Sequence, residues 1–308
     1  MTLKEAYRQG RDRLSDAGIP EADLDAWYLL EQVTGISRAR YYADPEREIP
    51  ETDHSRYAAY IERRAGHVPL QHITGSQEFM GLKFRVNEHV LIPRQDTEIL
   101  VEEALKILRE EGLPMQEGKL RVLDLCTGSG CILLSVLYWM SQDKNRDLEI
   151  RGIGSDLSEK VLETAAENAA ALGIRADFVR SDLFQDLGGK FGMILSNPPY
   201  IRTGDIDGLQ EEVRLYDPRA ALDGGEDGLY FYRKIIRESR EYLEPGGYLM
   251  FEIGWDQAEE VSALMRASGY ARIRVKKDLA GLDRVVYGVY SGRVLSKEKS
   301  IEKEEEYV

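Results

Sequence analysis

A chain of 308 residues has room for one substantial domain and a smaller one beside it. A formal net charge of −14 argues against tight, sequence-independent binding to duplex nucleic acid, which needs clustered Lys and Arg against the phosphates, although a local basic patch for RNA is not excluded. Hydrophobic residues make up 43% and charged residues 31%, with no apolar run of about 18, so a globular chain with no membrane span is expected.

The N-terminus lacks the continuous apolar core of a secretory signal, and Cys126 and Cys131 show no disulfide or metal spacing, so cytoplasmic residence is the expectation. His54, His67, His72 and His89 have no ligand spacing either, and no metal site is expected. Leu3, Ala6, Tyr7, Leu14 and Ala17 recur at helical spacing, Gly18-Ile19-Pro20 interrupts, and the pattern resumes from Ala22 to Gly35. A third helix is expected over 55–64, which makes residues 1–72 a small all-helical domain. Residues 73–95 hold the alternating stretch Glu78 to Val86 with Gly81 inside it, which predicts a hairpin linking two domains. Asp96 or Thr97 is expected to cap a helix carrying Leu100, Ala104, Ile107 and Leu108 on one face.

Over 96–292 the pattern becomes α/β. Strands are predicted at 120–125, 150–156, 176–182, 191–197, 248–253, 271–276 and 284–290, with helices at 132–139, 158–172, 228–243 and 257–267. Alternation of this kind means a doubly wound, mostly parallel sheet. The last two strands are joined by too few residues for a parallel crossover, so one strand near the edge must be reversed. Residues 293–308 form a mixed-charge tail expected to be disordered.

Asp124-Leu-Cys-Thr-Gly-Ser-Gly lies where the first strand of this sheet meets its helix. Gly128 and Gly130 permit the turn and the close approach of a ligand. The third glycine of a dinucleotide fingerprint is replaced by Leu133, and no Gly-Lys-Ser/Thr occurs. Asp124 would repel a pyrophosphate but suits a cationic sulfonium with its ammonium group, as in S-adenosylmethionine. Asp156 ends the next strand, where a carboxylate can accept from both ribose hydroxyls. Asp182 ends the third, placed for an adenine amino group, with Leu183 or Phe184 against the ring. Each acid alone is as readily a helix cap, but three at successive strand ends are not.

Asn197-Pro198-Pro199-Tyr200 ends the fourth strand. An amide nitrogen is a poor nucleophile because its lone pair is delocalised, on the scale of the ~18–20 kcal/mol barrier to amide rotation. One hydrogen bond of about 1–3 kcal/mol cannot offset that, whereas positioning can supply about 7–11 kcal/mol. The side-chain carbonyl of Asn197 and the backbone carbonyl of Pro198 can each hold one N–H of a planar NH₂. Proline fixes the direction of the carbonyl, and Tyr200 can pack over the flat amide. No general base is needed before attack.

With these residues in view, the chain resembles the release-factor glutamine methyltransferases from about residue 6 to 289. The resemblance is carried by Pro69-Leu-Gln-His-Ile-Thr-Gly, Leu91-Ile-Pro-Arg-Gln-Asp-Thr-Glu, Leu123-Asp-Leu-Cys-Thr-Gly-Ser-Gly, Ser181-Asp-Leu-Phe, Ser196-Asn-Pro-Pro-Tyr-Ile, Asp217-Pro-Arg-Ala-Ala-Leu-Asp-Gly-Gly-Glu-Asp-Gly-Leu, Glu252-Ile-Gly and Asp283-Arg-Val-Val. It implies a Rossmann-like class I methyltransferase sheet that methylates the glutamine of the Gly-Gly-Gln motif in peptide chain release factors. It also implies an N-terminal domain that contacts the factor, and a monomer is expected. Cys126, Thr127, Gly128, Ser129 and Gly130 would line the cofactor with Asp156, Leu183 and Asn197, and Arg94 and Glu98 would help close its pocket. Cys126 stands where the family usually has Gly, and Gln95 where Pro is common; both bear on local geometry only. Rival substrates are a ribosomal-protein glutamine, disfavoured by Asp96-Thr97-Glu98, and a nucleic-acid adenine, disfavoured by the acidic balance. A binding module without turnover is disfavoured by the intact Asn197.

Overall fold

The computed structural model describes residues 1–116, 118–143 and 148–292; the tail at 293–308, expected to be disordered, lies outside the described residues. Helix α1 (Leu3–Asp16) is opened by a capping box: the Thr2 hydroxyl accepts from the Glu5 amide at 3.3 Å, and the Glu5 carboxylate accepts from the Thr2 amide at 2.9 Å. Helix α2 (Ala22–Thr34) ends at Gly35 in the left-handed region. Helix α3 (Arg38–Ala43) was not expected, because six residues are too few to display a period. Helix α4 (Glu51–Ala65) begins earlier than the expected 55, directly after Pro50, and a single further turn follows as α5 (Leu70–Thr74). Leu3, Leu14, Ala26, Leu29 and Leu30 form a separate apolar core for these helices. Tyr7, Trp27 and Tyr41 meet edge to face over it, with ring centroids 5.3–6.1 Å apart.

The hairpin β1 (Ser76–Phe79) and β2 (Leu82–Arg85) turns at Met80 and Gly81, both at positive φ. Phe79, Leu82 and Phe84 share one core with Leu100 and Leu120, so the hairpin packs as part of the larger unit. Helix α6 (Glu98–Glu110) follows a 3₁₀ turn over Gln95–Thr97. Thr97 sits at its N-cap position, but its side chain makes no capping bond, which corrects the expectation.

Strands β3 (Leu120–Leu125), β4 (Ile150–Asp156), β5 (Asp177–Arg180), β6 (Phe191–Ser196), β7 (Leu243–Glu252), β8 (Tyr270–Lys277) and β9 (Asp283–Tyr290) form one sheet in the order β5-β4-β3-β6-β7-β9-β8. Only β9 opposes its neighbours, pairing antiparallel with β7 and β8. Helices α7 (Cys131–Ser141), α8 (Glu159–Leu172), α9 (Glu211–Tyr216), α10 (Arg219–Leu222), α11 (Tyr230–Tyr242) and α12 (Ala258–Ala267) complete the fold. α9 and α10, too short for a period, were not expected. After β3 the chain runs outward through β4 and β5, then returns to place β6 on the other side of β3. The carboxyl ends of β3 and β6 therefore flank the topological switch point, where such sheets bind ligands.

Candidate active site

Two segments far apart in the chain meet at that switch point. Leu125 pairs with Ser196, and the Ser196 hydroxyl donates to the Leu125 carbonyl at 2.8 Å. The glycine loop and the Asn197 turn thus leave adjacent strands side by side.

In the loop, Cys126, Gly128 and Gly130 all take positive φ. A Cβ at Gly128 would meet nothing within 4 Å, whereas one at Gly130 would press on Leu134 at 3.1 Å and Ala165 at 3.3 Å. The loop is open at Gly128 and closed beneath Gly130. Asp124 lies under the loop rather than on its surface: it is fully buried, its Oδ2 accepts from the Thr127 hydroxyl at 2.6 Å, and its Oδ1 has no partner. Burial pushes its carboxyl up to about 7. Asp156 reaches the loop from β4, accepting from the amides of Gly128 and Ser158, each at 3.2 Å. Burial raises its pKa as well, against those amide bonds. A buried Asn168 on α8 donates to the Ser129 carbonyl at 2.9 Å and exchanges two bonds with the Arg85 backbone, which ties the hairpin to the loop.

Asp182 does not end a strand, since β5 stops at Arg180; it lies in the following loop, 3.7 Å from the Lys234 ammonium. Leu183 beside it is buried at φ 54. Phe184 stacks on Tyr242 at 4.6 Å inside the core, which leaves Leu183 as the residue for a ring.

The Asn197 turn is held by the loop at 217–229, a role its residues did not advertise. Ile201 donates to Leu222 and accepts from Gly224, and Thr203 donates to Gly225. A Cβ at Gly224 would stand 2.7 Å from Tyr200 Cα, and one at Gly228 2.5 Å from the Tyr200 carbonyl, so these glycines permit backbone-to-backbone contact. The Tyr200 phenol donates to Glu252 Oε1 at 3.3 Å, and Asn197 Nδ2 donates to Thr97 Oγ1 at 3.4 Å. Pro198 and Pro199 are buried. Glu252, at the end of β7, is pushed up to about 7 by burial, with Thr97, Arg284 and Tyr200 opposing. A cavity of about 120 Å³ is lined by Asn197, Tyr200, Glu252, Arg94, Asp217 and Leu222, among others.

Arg94 and Glu98 do not act together. Arg94 pairs with buried Asp217 at 2.5 Å and faces this cavity, which has no residue of the glycine loop in its lining. Glu98 accepts from the Met80 amide at 2.5 Å and so secures the hairpin turn.

Family models match on either side of the hairpin: the PrmC N-terminal domain over residues 5–75 and the methyltransferase small domain over 98–213. The chain is 42% identical to the release factor glutamine methyltransferase of Caulobacter vibrioides, covering 94% of this chain and 96% of that one. Its identity to the protein of the same name from Agrobacterium fabrum is 42%, with 92% and 96% covered, and to that from Clostridium acetobutylicum 39%, with 95% and 100% covered. This chain belongs to the release factor glutamine methyltransferase family.

For a release factor glutamine methyltransferase, the sequence reading overlooked Glu252, Thr97, Asp217 and Asn168 as site residues. Glu252 and Asp217 stood inside quoted motifs, and a carboxylate at a strand end was a usable signal for Glu252. Thr97 and Asn168 lie on helices or at their ends and gave none. Among the described residues, no group of three or more His, Cys, Asp or Glu could hold a metal ion, and no helix is long and apolar enough to cross a membrane.

Proposed function

We propose that this protein transfers a methyl group from S-adenosylmethionine to the side-chain amide nitrogen of the glutamine in the Gly-Gly-Gln motif of peptide chain release factors, in support of translation termination. The observation that carries the reading is the pairing of Leu125 with Ser196, which sets an open glycine loop beside the Asn197 turn.

The residues present fit the cofactor. The loop is open over Gly128, Asp156 stands half-exposed against the Gly128 amide, and Asp124 keeps one buried oxygen without a partner. Cys126, Thr127, Gly128, Ser129 and Gly130 would hold it, with Asp156, Asp182 and Leu183 on the nucleoside side and Asp124 beneath. When bound, the sulfonium supplies an activated methyl group. Asn197 Oδ1 and the Pro198 carbonyl accept the two amide hydrogens of the glutamine and aim its nitrogen lone pair. Pro199 and the 217–229 loop keep that turn from yielding. Tyr200, held at its phenol by Glu252, offers its ring to the flat amide. The N-methyl product loses its proton after transfer, so no side chain need act as a base beforehand. Residues 1–72 serve as the unit that contacts the factor, residues 73–95 as the linking hairpin and 96–292 as the catalytic unit, in a cytoplasmic monomer with no stable nucleic-acid partner.

The test is label transfer from the methyl donor to purified release factor, its Gln→Ala variant, a ribosomal-protein glutamine substrate and DNA. Label on the parent factor alone is expected; label on DNA, or equally on the variant factor, overturns the reading. Asn197→Ala should lower kcat by roughly 10²–10³-fold with cofactor affinity by calorimetry nearly unchanged.

A further inference from the structure

Gln257 lies at the N-cap position of α12, yet its side chain makes no capping bond to its own helix. It is buried, and a buried carboxamide left without partners is costly. Its partners are three backbone groups from three separate segments. Nε2 donates to the Tyr200 carbonyl at 3.0 Å and to the Gly228 carbonyl at 3.3 Å, and Oε1 accepts from the Gly254 amide at 2.9 Å. Carbonyls only accept and a backbone N–H only donates, so these neighbours admit one orientation of the carboxamide. A half-turn about its terminal bond would set like against like at every contact.

Glycines make the space around this group. A Cβ at Gly228 would stand 2.7 Å from Nε2, and one at Gly254 2.9 Å from Oε1. The segment after β6, the 217–229 loop and the segment after β7 therefore converge on a single side chain.

What this convergence holds is the far end of the Asn197 turn. The near end is fixed by the sheet, through Ser196 beside Leu125. Pro198 and Pro199 have no N–H to donate, and in the proposed reaction the Pro198 carbonyl is reserved for substrate. The turn is tied down again at the Tyr200 carbonyl, and Gln257 ties it. Tyr200 is held separately at its phenol, which donates to Glu252 Oε1 at 3.3 Å. Backbone and ring tip are thus fixed by different side chains.

We propose that Gln257 is a positioning residue for methyl transfer: its carboxamide N–H groups lock the end of the Asn197–Tyr200 turn to the 217–229 loop, which keeps the Pro198 carbonyl and the Tyr200 ring in register with the substrate amide. It touches no reacting atom. The inference deepens the methyl-transfer reading above and rests on it. A displacement of about 1 Å at a reacting centre can cost roughly 10²-fold in rate, so a lock of this kind acts on turnover more than on binding.

The experiment measures release-factor methylation for the parent, Gln257→Met and Gln257→Glu, under conditions where circular dichroism shows each to be folded. Met has the length of Gln and no N–H or O–H donor. Glu has its shape, keeps an acceptor for the Gly254 amide, and offers at most one donor where the Tyr200 and Gly228 carbonyls each need one. Both variants should lower kcat about tenfold or more, while KM for the factor and cofactor Kd stay within about threefold. The lock is overturned if Gln257→Met keeps the parent kcat, if Gln257→Glu does, or if the loss lies wholly in KM or in cofactor Kd. Should Gln257→Met not fold, Gln257→Glu decides by the same criteria. If neither folds, Gln257 serves the fold and its claimed role in turnover fails. A parent protein that methylates no release factor sinks the substrate reading, whereas parent turnover that is indifferent to Gln257 sinks this inference alone.

Discussion

At Asp124, burial opposes charge strongly enough to leave a signature in stability. Its carboxyl is raised from 3.8 to about 7, with loss of solvent as the main cause and the Thr127 bond working against it. The native protein therefore keeps a proton that the unfolded chain releases between about pH 4 and pH 7. Because the folded pKa is raised, the native state is penalised progressively as pH climbs through that window, and the full penalty stands above it. At roughly 1.4 kcal/mol per unit the penalty is on the order of 4 kcal/mol. Asp124→Asn keeps an acceptor for Thr127 and removes the charge. It should be more stable than the parent at pH 8 and lose that advantage near pH 4, as read by urea midpoints. A difference independent of pH would contradict the assignment. Cys126 and Leu183 carry strain of another kind: both are non-glycine residues at positive φ, at a cost of about 1–2 kcal/mol each, and both follow strands at the ligand edge.

The element that decides the site is the pairing of the 217–229 loop with the Asn197 turn. Both are backbone ribbons, so neither can move aside for a side chain. Gly224→Ala would bring a methyl to 2.7 Å of Tyr200 Cα. It should cost about 1–3 kcal/mol in urea unfolding and lower kcat, because any relief displaces Tyr200. Parent-like kcat in a protein destabilised by that amount would show that the loop supports the fold alone. Much of this level was legible beforehand: the seven strands, the reversed β9 and the hairpin turn all follow from local periodicity and turn residues. What escaped were α3, α5, α9 and α10, each shorter than the window in which a helical period declares itself. Expecting Thr97 as a cap failed because the 3₁₀ turn over Gln95–Thr97 already gives it helical backbone angles (φ −66, ψ −21), not the extended ones of a capping residue.

Across the whole molecule, a buried guanidinium ties the N-terminal helices to α9 of the sheet-bearing part of the chain. Arg64 of α4 pairs with Asp25 of α2 at 2.7 Å and with Glu212 of α9 at 2.6 Å, and Tyr216 of α9 donates to the Gly66 carbonyl. Asp25 is raised by burial in spite of Arg64, so removing the cation would strand it. Arg64→Ala should destabilise the protein by about 3–5 kcal/mol and speed amide exchange in both α2 and α9. Exchange confined to α2 would show that the contact with α9 contributes nothing to docking. α9 leads directly into Asp217, the partner of Arg94, so the same contact sets one wall of the cavity beside Asn197.

By itself the sequence determined the α/β class, the glycine bend, the proline-stiffened turn and the acids near the strand ends, because each depends on residues within a few positions of one another. Strand order and packing decided the rest. The pairing of Leu125 with Ser196 across 71 residues, the grip of Thr97 and Glu252 on the turn, and the transfer of Arg94 to Asp217 are all contacts between distant segments. Such contacts arise only when the chain returns from β5 to place β6 against β3, and hydrophobic periodicity, being local, carries no record of that return.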